Sequence, residues 1–205
     1  SIQLKDVTIT GYKNESARLS PLNISSINLD STQALNSFNL CDLLRKTEGV
    51  SMLSTGVGIA KPVIRGLYGN RILILLNGHR FDNQQWQEEH GLGLTGFGLS
   101  RVELIKGPLG ILYGTEALGG VINLIEEERP KANSRITEAS LTLNSNTRGG
   151  LLQAAYLESR KNKWWRIRIG SDNHADYSDG RKQRILNSRF DGYYAKATFG
   201  FERKN

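Results

Sequence analysis

Cysteine, methionine, proline and histidine are scarce in this 205-residue chain, at one, one, four and three residues. The lone Cys41 cannot close a disulfide within the chain, and no Cys/His grouping has the spacing of a structural zinc site. Within Asn39-Leu40-Cys41-Asp42-Leu43-Leu44 it reads as a small buried apolar residue. Long hydrophobic runs are also missing. The longest, Ile72 to Leu76, is five residues, too short for any helix that spans a bilayer. A transmembrane strand stays open, because the strands of a closed barrel need only alternation over ~10 residues. Glycine, by contrast, is plentiful at 22 residues. So much glycine disfavours an all-helical bundle, and neither a collagen repeat nor a low-complexity tract is present.

The net charge of +7 is unevenly placed. Residues 1–130 carry 12 Lys/Arg against 13 Asp/Glu, and residues 131–205 carry 15 against 7. Such asymmetry marks two physically different halves. A basic half can serve nucleic acid or an anionic surface. Here, however, the cations alternate with apolar residues rather than forming a compact run. No basic leader with an apolar core precedes Ser1, so a mature form or an excised fragment is expected.

In the first half, Leu4 to Thr10 is a short β-branched segment with few apolar neighbours, read as a mobile N-terminal strip. Phe38, Cys41 and Leu44, with Leu40 and Leu43 beside them, predict a helix over 36–46 that stops at Gly49. Val50 to Leu53 and Pro62 to Gly66 predict strands. Arg71 to Leu76 reads as a central strand, apolar on both faces and ended by the turn dipeptide Asn77-Gly78. His79 to Phe97, polar, Gln-rich and aromatic, reads as a long exposed loop. Arg101 to Ile105 is a strand broken by Gly107-Pro108. A short helix over Leu109 to Ala117 and a Gly119-Gly120 stop lead into the strand Val121 to Ile125. The Gly-rich stretch lacks the Gly-Lys-Ser/Thr ending and Rossmann spacing of a phosphate cradle.

The second half alternates with period two. Ala139, Leu141 and Leu143 share a face, as do Trp165, Ile167 and Ile169, and then Tyr193, Ala195, Ala197, Phe199 and Phe201. Leu151 to Glu158 alternates less cleanly, and Asp172 to Arg184 reads as a charged loop in which His174 has no assigned role. One apolar and one polar or cationic face suits a barrel wall between lipid and a wet lumen. An ordinary soluble meander has the same pattern.

Two blocks carry a resemblance. Val63-Ile64-Arg65-Gly66 with Asn70 to Gly78, and Arg101-Val102-Glu103-Leu104-Ile105-Lys106-Gly107-Pro108 with Leu112 to Asn123, resemble the plug signatures of TonB-dependent outer-membrane receptors. Asp42-Leu43-Leu44 and Glu48-Gly49-Val50 precede them in the expected order. The resemblance implies an α+β plug domain, a small mixed β-sheet with short helices, followed by antiparallel strands of an incomplete transmembrane β-barrel. The implied segments are 1–20, an N-terminal strip and linker; 21–130, the plug; and 131–205, the first four or so strands of the family's 22-stranded barrel. Four strands cannot close, since a single-chain barrel needs at least ~8, so a piece of a longer chain is expected.

What the family implies for function is import of a scarce solute across the outer membrane of a Gram-negative bacterium, without catalysis and with no required cofactor. The expected partners are TonB with its inner-membrane energising complex, the remaining barrel strands and the transported ligand, not nucleic acid. Leu4, Asp6, Val7, Thr8, Ile9 and Thr10 are similar to a TonB box, the strip the partner grips. Such a strip pairs as an added strand on the partner's sheet edge. Arg65 and Lys106 match plug cations that face barrel carboxylates and lock plug to barrel. Trp86, Glu88, Glu89 and His90 fall where the family's plug loop meets ligand. An acidic residue followed by His there is similar to the loop of outer-membrane zinc receptors, and His with two Glu suits a divalent transition metal. A zinc ion or iron chelate is therefore one expected cargo. Trp86 and the Gln run suit a siderophore, haem or sugar equally, and His90 reads also as a solvated loop residue. The other readings are a vitamin or oligosaccharide receptor of the same family and a soluble basic binding domain.

Overall fold

The computed structural model describes residues 8–9, 15–16, 23–29, 40–54, 56, 60–81, 96–107, 110 and 113–201. Two compact units divide between Glu127 and Glu128.

The first unit contains β1 (Thr8–Ile9), β2 (Glu15–Ser16), β3 (Asn23–Asn28), helix α1 (Leu40–Leu44), β4 (Val50–Ser54), β5 (Ala60–Ile64), β6 (Ile72–Leu76), β7 (His79–Arg80), β8 (Leu99–Lys106) and β9 (Gly120–Glu126). A five-stranded sheet runs β3-β8-β9-β6-β7, while β4 pairs only with β5 and β1 only with β2. The β6–β9 pair is parallel and its neighbours are antiparallel, so this is the mixed sheet the sequence predicts. β6 is interior, but the central strand is β9; the turn at Asn77 and Gly78 (φ 50° and 79°) folds β7 back beside β6 and moves the centre by one strand.

Period-two alternation gives the sheet two buried faces. Val102, Leu104, Ile122, Leu124, Ile72 and Ile74 pack on one side with Leu40, Leu43 and Leu44 of α1. Leu73, Leu75, Ile105 and Val121 pack on the other with Ala117. A sheet covered on both sides explains why its strands read as nearly continuous apolar runs.

Positions 36–39 of the predicted helix lie outside the described residues, and helix α1 stops two residues before the predicted end at 46. It ends on an Arg45 N–H bond to the Cys41 carbonyl (3.0 Å), and the chain then tightens through Lys46 to Leu43 and Thr47 to Leu44. Gly49 at φ 75° completes the stop. Where a helix is predicted at 109–117, the described residues Gly110, Tyr113 and Thr115–Ala117 are 3-10 rather than α-helical. Two glycines in that stretch, Gly110 and Gly114, raise the backbone entropy cost of a full helix, and Gly114 at φ 113° stands outside helical space. Gly120 has a steric reason to be glycine: at φ +146° a Cβ would lie 2.7 Å from the Ile105 carbonyl oxygen.

The second unit is a four-stranded antiparallel meander: β10 (Arg135–Asn144), β11 (Gly149–Arg160), β12 (Lys163–His174) and β13 (Phe190–Phe201). Its strands extend past the predicted segments. β12 carries Asp172, Asn173 and His174, which the sequence placed in a loop, because all three pair with β13 opposite Gly192, Asp191 and Phe190. Twelve-residue strands at ~3.3 Å per residue, tilted ~40°, cross about 30 Å, the thickness of a bilayer core. No helix among the described residues is long and apolar enough to cross a membrane.

Cys41 is buried, and its thiol donates to the Ala60 carbonyl at 3.3 Å. Burial first, and then the charge of Asp42, push the thiol up from 9.0 to about 12. It should therefore resist maleimide at pH 8 in the folded chain and react once urea unfolds it. Because the folded value is raised, the buried thiol adds no pH dependence below about pH 8 and costs stability as pH rises from 9 toward 12. Rapid labelling of the native chain at pH 8 would contradict this.

Candidate functional site

Arg65 and Lys106 lie 41 positions apart in sequence and converge on one turn. Arg65 closes β5 at φ 51°, ahead of Gly66 at φ 80°. Ile64 and Leu67 exchange backbone bonds around them, and the Arg65 N–H reaches the Gly49 carbonyl at 3.2 Å. Lys106, the last residue of β8, donates from Nζ to the Glu48 carbonyl at 2.9 Å. The Arg65 guanidinium runs past Gly107, 3.9 Å from where a Cβ would stand. Both cations thus gather at the Glu48-Gly49 turn after α1. Among the described residues neither meets a carboxylate.

A buried polar chain crosses the sheet close by. Glu103 and Asn123 are opposite one another on β8 and β9, and both are fully buried. Arg101 bonds Glu103 Oε1 through Nε (3.1 Å) and NH2 (3.0 Å). Asn123 donates to Glu103 Oε2 at 3.0 Å and accepts the Gly78 N–H at 2.9 Å. Asn77 ties the same turn to Glu126 through both side-chain atoms, each at 2.9 Å. The hairpin that launches the polar loop is therefore bolted to β9, and Phe81 adds a bond to the Ile74 carbonyl. Reasoning from sequence passed over Glu103 and Asn123 although both lie inside the quoted motifs. Their signal was a polar residue inside an apolar strand on each of two neighbouring runs.

Trp86, Glu88, Glu89 and His90 lie outside the described residues, as do Leu4, Asp6, Val7 and Thr10. Thr8 and Ile9 form β1 and pair with Ser16 and Glu15. A two-pair ladder of this kind is far below independent stability. No group of three or more His, Cys, Asp or Glu suited to a metal occurs among the described residues.

In the second unit the register builds two distinct faces. One carries Leu141 with Leu152, Ser171 and Tyr193; Ala139 with Ala154, Ile169 and Ala195; and Thr137 with Tyr156, Ile167 and Ala197. Leu141, Leu152, Ile167, Ile169, Tyr193 and Phe199 are all exposed there. The opposite face is polar. Arg168 bonds Glu138 at 2.9 Å, the Tyr194 hydroxyl donates to Asp172 at 2.8 Å, and Arg166 lies over Trp164 and donates to the Glu128 carbonyl. His174, unassigned in the sequence reading, is buried, bonded to Thr147 at 2.7 Å and stacked on Phe190. It clips the 145–148 connection to the end of β12. The uneven pattern of 151–158 also resolves here: Leu151 and Leu157 fall on the polar face, and Leu157 is buried.

A buried five-stranded sheet followed in sequence by an amphipathic meander has counterparts among known proteins. The TonB-dependent Receptor Plug Domain family matches residues 16–121. An iron-regulated outer membrane virulence protein of Vibrio cholerae is 31% identical over 157 residues, covering 73% of this chain and 24% of that protein. A vitamin B12 transporter of Photobacterium profundum is 32% identical over 108 residues, covering 52% and 18%. Among solved structures, a copper transporter, OprC, superposes with a TM-score of 0.76 at 24% identity over 89% of this chain and 28% of that one. The chain belongs to the TonB-dependent outer-membrane receptor family, and it spans about a fifth to a quarter of the length of these curated relatives.

The Arg101-Glu103-Asn123 chain makes a direct prediction. Asn123→Ala strands the Glu103 carboxylate and the Gly78 N–H, and should cost about 1–3 kcal/mol. The urea midpoint should fall with an unchanged slope. A shift under ~0.5 kcal/mol would mean the network is not holding the hairpin.

Proposed function

We propose that this chain forms the plug and first wall strands of a receptor that imports a scarce solute through the outer membrane, driven by TonB. The observation that carries the reading is the order of its parts. A plug-family sheet is followed directly by four strands whose apolar residues fall in register on one face. That face suits lipid and the opposite one a wet lumen. The receptor binds and translocates without catalysis. The cations Arg65 and Lys106 dock on carboxylates of the barrel wall and hold the plug until TonB pulls. Leu4 to Thr10 is the strip that TonB takes as an added strand; backbone bonds supply the grip and alternate side chains the selectivity.

The cargo is a metal ion or metal chelate, siderophore and haem included, held by the loop containing Trp86, Glu88, Glu89 and His90 together with barrel loops. A relative named as iron-regulated and a structural neighbour named as a copper transporter favour that class. Relatives named as vitamin B12 transporters support a second reading, a vitamin cargo on the same plug.

Removing Leu4 to Thr10 from the whole receptor should abolish uptake while surface binding of ligand persists; loss of both would argue against the strip's role. Glu89→Ala with His90→Ala should weaken zinc binding to the intact receptor by about tenfold or more, the scale of a lost metal ligand. Unchanged zinc affinity in a folded double variant removes the metal reading and leaves the vitamin reading standing.

A further inference from the structure

The apolar face of the meander ends in a charged cluster that the transport reading does not use. At the end joined by the two-residue connection 161–162, Arg135, Glu158, Trp165 and Phe199 form one cross-strand row. Arg160, Lys163 and Phe201 form the next. Glu158, only 4% exposed, accepts from Arg135 NH2 at 3.1 Å, from the Tyr156 hydroxyl at 2.8 Å and from Arg160 Nε. One carboxylate thus fixes two guanidinium groups, each by a single nitrogen. Their side chains stay 61% and 66% exposed, with the other donors facing out. Lys163 and Lys161 are exposed beside them. Among the described residues of this end, one negative charge is ringed by four positive ones, level with Trp165 and Phe199 or just beyond them.

We propose that Arg135, level with Trp165 and Phe199, and Arg160 and Lys163 one row beyond, set around Glu158, bind the phosphate of an anionic glycerophospholipid headgroup. The inference rests on reading the meander as barrel wall. Aromatic side chains mark the membrane interface on such walls, so cations level with Trp165 and Phe199 or one row further out stand at headgroup depth. Guanidinium forks match phosphate oxygens, and each basic side chain near an anionic surface adds attraction. The site lies at the end with the short turn, while the connections at the other end are four and fifteen residues long. Short turns face the periplasm, so the leaflet is the periplasmic one, made of glycerophospholipid rather than lipopolysaccharide.

The test uses the whole receptor carrying this chain, delipidated in detergent and titrated with phosphatidylglycerol and separately with lipopolysaccharide, with retention read by native mass spectrometry. Arg135→Gln with Arg160→Gln and Lys163→Gln should weaken phosphatidylglycerol retention about tenfold or more. The same loss of three charges at the far end, Arg181→Gln with Lys182→Gln and Arg184→Gln, should change it by less than about twofold, the weak long-range effect expected of screened charges. Equal retention by all three proteins, equal loss in both variants, or a first variant that loses lipopolysaccharide instead would each overturn the proposal. Heat-modifiable gel mobility of the same samples separates the two levels. A heat-modifiable barrel that does not discriminate overturns the headgroup site alone; a protein with no heat-modifiable barrel overturns the wall reading and this site with it.

Discussion

Cross-strand register is the constraint on which the second unit depends. Side chains of a strand alternate with period two, so a slip of one residue in any of β10 to β13 would turn its whole apolar set to the polar side. The observed pairing places Ala139, Ala154, Ile169 and Ala195 in one row and Thr137, Tyr156, Ile167 and Ala197 in the next. A continuous apolar surface follows, far too exposed for a domain bathed in water. It needs a covering as apolar as itself, and a bilayer supplies one. The polar face then has room for ion pairs such as Glu138 with Arg168 that hydrocarbon would not tolerate.

The first unit solves a different problem. Its sheet is covered on both faces, so backbone order comes from burial, and polar groups within it must be paired. Glu103 and Asn123 meet that demand together and hand the pairing on to the Asn77-Gly78 turn. Rigid support at this turn lies where the polar segment that follows Arg80 begins, so that segment is anchored at its root by the core. Arg65 and Lys106 differ in kind. They are held by backbone contacts at the Glu48-Gly49 turn, Arg65 through its own N–H and Lys106 through Nζ.

Much of this was legible in the sequence because burial leaves a period. The runs at 72–76, 101–105 and 121–125 predicted strands, and the alternation at 139–143, 165–169 and 193–201 predicted the outward face. What escaped was set by partners distant in the chain. His174 reads as a loop residue until Phe190 pairs with it and Thr147 bonds its ring. The turn at 115–117 reads as a helix until Gly114 takes a positive φ. Glu103 and Asn123 read as interruptions until their strands are laid side by side. Motif resemblance pointed to the family and singled out Arg65 and Lys106, but only the fold shows that the two cations share one turn.

The most direct measurement is fractionation of cells that make the native gene product, with its intact mass and its gel mobility before and after heating. The account predicts an outer-membrane protein several times longer than 205 residues whose mobility changes on heating, as a closed barrel requires. A soluble native product of this length, with no heat-dependent mobility, would contradict the barrel wall and the transport mechanism built on it.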